Sequence, residues 1–421
     1  MRILMLGWEF PPYFAGGVGT VCHALTKALT KRGHDITYLM PKGPEDLRTK
    51  NDFLNLRIAN NEHPLALKLF TINSLIQSPY DSMSSYEQRF SEYKKTINQQ
   101  SATGQMYGQN LLEEVERFAQ QATTIAQELL LGEGFDVIHA HDWVTFQAGL
   151  KIKEVTGKPL IVHVHITEFD KSGGIHANPN IYRYERAGML GADLVIAVSN
   201  FTKTVCVNKY HVPEQKIRIV HNSIEFDEKN LLLKEQTIKP HDKLVLFLGR
   251  ITLQKGPEYF LEAAKKVAEM DPNIKFVMAG SGDMLPRMIE KAADLGIGDK
   301  VLFPGFTSRE QSDELFRAAD VFVMPSVSEP FGIVPLESMI QGTPTIISRQ
   351  SGVSEVLQNT LKTDFWDVNN LANKMLAAIH YQALHDTLKE HGIIEVKNFS
   401  YDTPANGCEQ VYEEAIQRGK R

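Results

Sequence analysis

The sequence has few cysteines and no long apolar segment, and both absences exclude classes of protein. Cys22, Cys206 and Cys408 are far apart in the chain, so they predict neither a disulfide framework nor a thiolate metal site. No apolar run reaches the roughly 18 residues that a membrane-spanning helix needs. Residues 3–6 are apolar, but Trp8 follows without a small-residue cleavage site, so we interpret them as a first buried strand. These features favour a cytoplasmic protein.

An excess of positive charge is also missing. The 421 residues include 45 lysines and arginines against 51 aspartates and glutamates, so no basic surface for nucleic acid is expected. No basic amphipathic helix is evident, which argues against an acceptor on a membrane surface. Hydrophobic residues make up 43% of the chain, as in globular proteins, and its length suffices for two or three domains. Nothing in the composition indicates an oligomeric state.

Two stretches of the chain share one pattern, an apolar strand that is followed by a loop and a helix. The first begins at residues 3–6 and the second at residues 244–248, and further apolar strands alternate with helical segments in both halves. Continuous apolar strands are typical of a parallel sheet that helices cover on both faces. The fold class is therefore α/β, with two Rossmann-like doubly wound parallel-sheet domains.

These patterns divide the chain into three parts. Residues 1–225 form the first domain, residues 226–398 the second, and residues 399–421 a C-terminal amphipathic helix. Residues 74–134 break the alternation, because they are rich in polar residues and end in a helix from about residue 111. We interpret this segment as a helical insertion that projects from the first domain.

Glycines follow the first strand. Gly16, Gly17 and Gly19 precede a helix, where peptide N–H groups can approach an anion and the helix N-terminus favours its negative charge. The spacing is not that of a dinucleotide-binding loop, and the second strand ends at Met40 with no acidic residue for a ribose, which counts against NAD. A tight turn without a ligand is the alternative.

Two cations follow the first strand of the second half. Arg250 comes directly after Gly249, and Lys255 lies five positions further along. At the carboxyl end of a parallel strand both would face the crevice where open α/β sheets bind ligands, and both suit phosphate oxygens. Gly280 and Gly282 follow another strand and are expected beside a nucleotide base. Solvated surface cations and an ordinary turn are the alternatives.

Two glutamates, Glu329 and Glu337, flank a loop that opens a helix and contains Phe331, Gly332 and Ile333. Amides of a first helical turn can bind a phosphate or sugar hydroxyls, and a carboxylate there accepts hydrogen bonds from hydroxyls. An ordinary acidic residue in a first turn is the alternative for Glu337.

Histidines gather at two strand ends of the first half. His139 and His141 precede Asp142, and His163 lies two positions before His165. Side chains two positions apart on a strand share one face. Imidazoles near a carboxylate suit Zn²⁺ or Fe²⁺, but such pairs also arise from packing, and contacts to a sugar or an acceptor are a third interpretation. We expect no metal site.

Together these motifs resemble the GT-B retaining glycosyltransferases, specifically glycosyltransferase family four with the glycogen and starch synthases of family five. The resemblance covers nearly the whole chain. Its most specific part is the pair Glu329 and Glu337, which matches the family's paired-glutamate signature. Arg250 with Lys255 is similar to the family's diphosphate clamp.

The first half contributes two further matches. Residues 139–143 are similar to the HAHDW segment of glycogen synthases, in which the aspartate, here Asp142, lies close to the transferred sugar. His165 matches the family's sugar-contacting histidine. Trp143 is expected beside the crevice, where it would stack on a glucose ring.

The resemblance implies a nucleoside diphosphate sugar in a central cleft between the domains, with the nucleotide mostly on the second. It also implies that the C-terminal helix, residues 399–421, packs back on the first domain. Arg250, Lys255 and the amides of residues 16–19 would stabilise the departing diphosphate, so no cofactor and no divalent metal are implied. Glu337 would hold the ribose. Glu329, the amides of residues 331–333 and His165 would orient the hexose.

The implied reaction is transfer of a glucosyl unit from ADP-glucose or UDP-glucose to an α-glucan, with retention of configuration. Phe14 stands where ADP-glucose-dependent glycogen synthases carry lysine, so the nucleotide stays open. A phosphosugar or a cell-surface precursor is the alternative acceptor. A nucleoside diphosphate sugar epimerase is the alternative from a different class.

Overall fold

The computed structural model describes residues 1–10, 17–42, 67–73, 111–225 and 243–419. Within them, the first half of the chain forms a seven-stranded sheet in the order β3-β2-β1-β4-β5-β6-β7. All its neighbouring strands pair in parallel. The strands are β1 (Arg2–Leu6), β2 (Asp35–Lys42), β3 (Leu67–Asn73), β4 (Val137–His141), β5 (Leu160–Val164), β6 (Leu194–Ala197) and β7 (Ile217–Ile219).

Helices cover both faces of this first sheet. They are α1 (Gly17–Lys31), α2 (Leu111–Leu131), α3 (Trp143–Thr156), α4 (Glu168–Lys171), α5 (Pro179–Gly191) and α6 (Asn200–Tyr210). One apolar core lies between the sheet and α2, α3, α5 and α6, and a second lies between the opposite face and α1. Burial on both faces explains why β4 and β5 are apolar apart from their histidines.

The second half forms a six-stranded parallel sheet in the order β10-β9-β8-β11-β12-β13. Its strands are β8 (Lys243–Leu248), β9 (Ile274–Ala279), β10 (Val301–Gly305), β11 (Val321–Met324), β12 (Thr345–Ser348) and β13 (Leu361–Thr363). Its helices are α7 (Pro257–Met270), α8 (Leu285–Asp294), α9 (Arg309–Ala318), α10 (Val334–Ile340), α11 (Val368–His380) and α12 (Gln382–Val396). The predicted fold class, two doubly wound parallel-sheet domains, is confirmed.

The last helix, α13 (Asp402–Gly419), returns to the first sheet. Tyr412 and Cys408 are fully buried in the core that also contains Ile3 and Met5 of β1. The Tyr412 hydroxyl lies 2.7 Å from Nδ1 of His139. The chain therefore crosses from the second sheet back to the first.

The segment interpreted as a projecting insertion differs from that prediction where the structure describes it. Helix α2 buries Val115, Phe118 and Ala122 in the core of the first sheet and packs against α3. It is the crossover before β4, because its apolar residues recur at helical spacing and form one buried face. Residues 74–110 lie outside the described residues, as does the stretch 226–242 between the sheets. None of the described helices is long and apolar enough to cross a membrane.

Candidate active site

The two sheets approach each other at the carboxyl ends of their strands. Ser328, after β11, donates a hydrogen bond of 2.6 Å to Asp170, which follows β5. Ser199, after β6, donates one of 2.5 Å to the carbonyl of Pro330. Both pairs are buried. The edge where open α/β sheets bind ligands is therefore shared by the two halves of the chain.

Further contacts between the halves form at the N-terminus of α6. The Glu355 carboxylate accepts hydrogen bonds from the backbone amides of Asn200 and Phe201 at 2.9 and 2.8 Å. His221 lies 3.1 Å from the same carboxylate. Because a helix N-terminus favours negative charge, these contacts hold the pKa of Glu355 below its usual value, although burial acts the other way.

The predicted phosphate clamp and the first glutamate lie together in the second half. The Lys255 ammonium forms an ion pair with the Glu329 carboxylate, and both side chains are largely buried. Ser326 donates to the same carboxylate over 3.4 Å. Arg250 is exposed and donates to the Gln254 side chain at 3.3 Å. The structure thus brings Lys255 to Glu329, two residues that are 74 positions apart.

The glycines of this half lie where two backbones meet. A Cβ atom on Gly280 would stand 1.8 Å from the carbonyl oxygen of Gly249, and one on Gly282 would stand 2.2 Å from that of Ile251. Gly280 also has a φ of 135°. Close packing of the ends of β8 and β9 therefore requires these glycines.

The loop before α10 and the first turn of that helix are fixed by contacts with two neighbouring segments. Phe331 is buried, and its carbonyl accepts a hydrogen bond of 2.8 Å from the amide of Val353. Gly332 has a φ of 93°, and Ile333 is the residue that precedes α10. In the first turn, Glu337 forms an ion pair with Arg309 of α9. Burial raises the pKa of the Glu337 carboxyl, and the Arg309 guanidinium opposes that rise.

The first half presents its histidines at the facing edge. Three of them lie on β4 and β5, and His165, which follows β5, packs on two of their rings. We call these four side chains the histidine cluster: His139, His141, His163 and His165. Nε2 of His139 lies 3.2 Å from Nδ1 of His163, and Nδ1 of His141 lies 2.9 Å from Nε2 of His165. Burial lowers the pKa of His139 and of His165 to about 3, so both rings are neutral at pH 7.

The glycine loop of the first half is described only in part. Gly17 is the first residue of α1, and Gly19 is buried in its first turn. Gly16 and Phe14 lie outside the described residues.

Comparisons with known proteins agree with this arrangement. The profile of the starch synthase catalytic domain matches residues 2–210, and that of glycosyl transferases group 1 matches residues 228–395. An uncharacterized glycosyltransferase of Methanocaldococcus jannaschii is 30% identical over 85% of this chain and 83% of its own. The chain belongs to the group 1 glycosyltransferases. This confirms the resemblance to GT-B enzymes of family four.

Two further known proteins are similar to this glycosyltransferase over almost its whole length. The glycogen synthase of Mycobacterium tuberculosis is 24% identical over 100% of this chain and 96% of its own. The solved structure of sucrose-phosphate synthase from Thermosynechococcus elongatus covers 99% of both chains, with a TM-score of 0.71 and 20% identity. The second likeness shows the GT-B fold.

Two residues that follow β4 in the glycosyltransferase have contacts that the sequence did not predict. The expected position of Asp142 close to the sugar stays a prediction. Asp142 has a φ of 58°, and its Oδ1 accepts hydrogen bonds from the amides of His165 and Ile166 at 2.7 and 3.3 Å. It therefore positions the segment that carries His165. Trp143 is buried in the core against Tyr184 and does not face the crevice, so the prediction that it stacks on a sugar is wrong.

Several residues of this edge were not predicted. Arg309 pairs with Glu337, and Glu355 and Ser199 join the two halves. Arg309 begins a capped helix, which is a visible pattern, but its partner lies 28 positions away. Because such pairs form only when distant elements pack together, no local spacing could reveal them.

The fold also groups side chains that suit a metal. Cys22 lies with His141 and His165, and each offers a ligand atom within 4.8 Å of the others. A second group of the same kind contains His139, His141 and His163. The prediction that the chain has no metal site therefore did not anticipate these groups. That sugar transfer needs no metal stays a prediction.

Proposed function

We propose that this glycosyltransferase transfers a glucosyl unit from ADP-glucose or UDP-glucose to an α-glucan, with retention of configuration. The observation that carries the proposal is the buried Lys255–Glu329 pair beside Arg250, at the sheet edge that the first half faces with neutral histidines. The similarity to a glycogen synthase over the whole chain supports the glucan acceptor.

The clamp explains how the bond to the sugar could break. As the bond between the anomeric carbon and the phosphate oxygen lengthens, negative charge develops on the leaving diphosphate, and Lys255 and Arg250 stabilise it. When a bound diphosphate forms an ion pair with Lys255, it replaces Glu329 as the partner of that lysine. Glu329 can then accept hydrogen bonds from the hexose hydroxyls, and the amides of residues 331–333 can donate hydrogen bonds to them.

The histidines suit a sugar because they are neutral. An uncharged imidazole such as that of His165 can exchange hydrogen bonds with a hydroxyl without placing a positive charge beside the developing oxocarbenium ion. In the retaining reaction, the acceptor hydroxyl attacks from the face that the diphosphate leaves. The leaving phosphate oxygen takes the acceptor's proton. Glu337 would accept hydrogen bonds from the ribose.

We also propose that the transfer needs no divalent metal. Lys255 and Arg250 supply the positive charge that Mg²⁺ supplies in other diphosphate sites, and the Lys255 ammonium already pairs with the Glu329 carboxylate. Dialysis against EDTA should therefore cause no loss of activity. A loss of activity that Mg²⁺ or Mn²⁺ restores would contradict this proposal.

A donor and acceptor screen tests the reaction. Labelled ADP-, UDP- and GDP-glucose are incubated with the enzyme and maltooligosaccharides, and products longer by single glucose units should appear. An amylase specific for α-1,4 bonds should digest them. Glu329→Gln, which removes the charge and keeps the size, is the matched inactive control.

The same screen separates the alternative functions. Label on a phosphosugar would favour the sucrose-phosphate synthase type of acceptor, and label on a lipid would favour a cell-surface precursor. Conversion of the donor sugar without an acceptor would indicate an epimerase. A cytoplasmic location follows from the glucan proposal, since nucleoside diphosphate sugars are made there.

A further inference from the structure

Cys22 and two members of the histidine cluster converge where α1 meets β4 and β5. Cys22 and His141 are at most 1% exposed, and His165 is 6% exposed. Nε2 of His141 and Nδ1 of His165 have no hydrogen-bond partner among the described residues. A buried polar atom without a partner costs free energy, so each of these two nitrogens calls for an explanation.

The donor set selects the class of ligand. Two imidazoles and one thiol are soft or borderline ligands, which suit Zn²⁺ and do not suit Mg²⁺ or Ca²⁺. Three protein ligands leave the fourth position of a tetrahedral ion open. The thiol proton passes to solvent when the sulfur binds the ion.

We infer that Cys22, His141 and His165 form a binding site for one Zn²⁺ ion, and that the bound ion inhibits the enzyme. Inhibition follows because a His165 that ligates the ion is unavailable to the sugar. This second part rests on the proposed function, whereas binding of the ion does not.

The second group of possible ligands is less suitable. His139 uses Nδ1 toward Tyr412 and Nε2 toward His163, so both its ring nitrogens are already occupied. Binding there would break the contact with α13. Access also favours the first group, since His165 follows the end of β5 at the facing edge and is the most exposed member of the histidine cluster.

Cobalt spectroscopy tests the site without any substrate. Chelator-treated full-length protein is titrated with Co²⁺, and a tetrahedral site with a thiolate should give intense visible bands and a near-ultraviolet charge-transfer band. One equivalent of Zn²⁺ should abolish them. Cys22→Ala should lose the charge-transfer band, while Cys206→Ala, which removes another buried cysteine, should keep it.

Two outcomes overturn the site. The first is a titration without these bands, and the second is a charge-transfer band that persists in Cys22→Ala. Should Cys22→Ala not fold, as judged by circular dichroism, His141→Asn serves in its place. That variant should weaken Co²⁺ binding by at least about tenfold, as loss of a ligand does, and unchanged binding would overturn the site.

Inhibition is measured separately, as the rate with Zn²⁺ relative to each variant's own rate with chelator. Wild-type and Cys206→Ala proteins should lose activity at equimolar Zn²⁺, and Cys22→Ala should need at least about ten times more. Mg²⁺ should not inhibit. Cobalt bands without inhibition would overturn the inhibitory role alone, and an enzyme without sugar transfer would fail the proposed function but not the site.

Discussion

Lys255 is the residue on which the proposed mechanism depends most. Lys255→Ala should lower kcat by about 10²–10³-fold, because the leaving diphosphate loses a buried positive charge. Arg250→Ala should act in the same direction. Steady-state rates with saturating donor provide the measurement.

The matched control for these variants is Lys265→Ala. Lys265 lies on α7, and its ion pair with Glu269 is exposed to solvent, so its loss should leave kcat unchanged. Near-normal turnover in Lys255→Ala would show that this lysine serves only its ion pair with Glu329.

Arg309 acts through another residue, since it pairs with Glu337. In Arg309→Ala the buried carboxylate loses its partner, and its pKa, already raised by burial, should rise further. Because Glu337 would bind the ribose in both the ground state and the transition state, the donor KM should rise about tenfold with little change in kcat.

Arg309→Lys should recover part of the affinity, since it keeps the charge. Arg287→Ala is the control, because Arg287 is largely exposed in its pair with Glu258. A fall in kcat at unchanged KM would refute this positioning role.

At the scale of the element, α5 carries an acid that the apolar packing between helices keeps protonated. Glu185 is buried, receives a hydrogen bond of 2.8 Å from the amide of Glu168 and contacts the Tyr210 hydroxyl of α6. Burial raises the pKa of Glu185 to about 8. In the unfolded chain, by contrast, a glutamate has a pKa of about 4.3.

The pH dependence of stability follows from that difference. Between about pH 4.3 and 8 the folded protein holds one proton more than the unfolded chain at Glu185, so this residue's contribution to stability falls as the pH rises. The slope is about 1.4 kcal/mol per pH unit. Glu185→Gln should remove this contribution in urea unfolding at pH 5, 6 and 7, whereas the exposed control Glu154→Gln should keep it. An unchanged slope in Glu185→Gln would contradict the prediction.

At the scale of the whole molecule, polar contacts between the two halves lie beside an apolar cluster that Val198 and Ile224 of the first half share with the second half. The Glu355 carboxylate accepts hydrogen bonds from two backbone amides of the first half and contacts His221. Glu355→Ala should therefore let the halves separate. Small-angle scattering should show a larger radius of gyration for this variant. Added nucleoside diphosphate should reverse the change, because a ligand that contacts both halves favours closure.

Glu290→Ala removes an exposed acid on α8 and is the control for this experiment. Identical scattering profiles for wild-type and Glu355→Ala proteins, with and without nucleotide, would rule out closure through these contacts.

The pattern of the sequence determined the two sheets and the order of their elements. Buried parallel strands must be apolar along their whole length, and helices that cover a sheet must be apolar on one face, so both leave local signatures. Helix α7 has this signature, since Phe260, Leu261, Ala264 and Val267 recur at helical spacing and are buried. The residue types at the strand ends, such as Lys255 and Glu329, also pointed to the edge where the site lies.

Only the tertiary structure decided which of these side chains meet. Lys255 and Glu329 pair across 74 positions, and Tyr412 reaches His139 across 273. It also decided that Trp143 is buried in the core and that α2 packs on the first sheet. These outcomes depend on how separate elements pack, and the energies of such contacts are set by neighbours in space that no local period along the chain records.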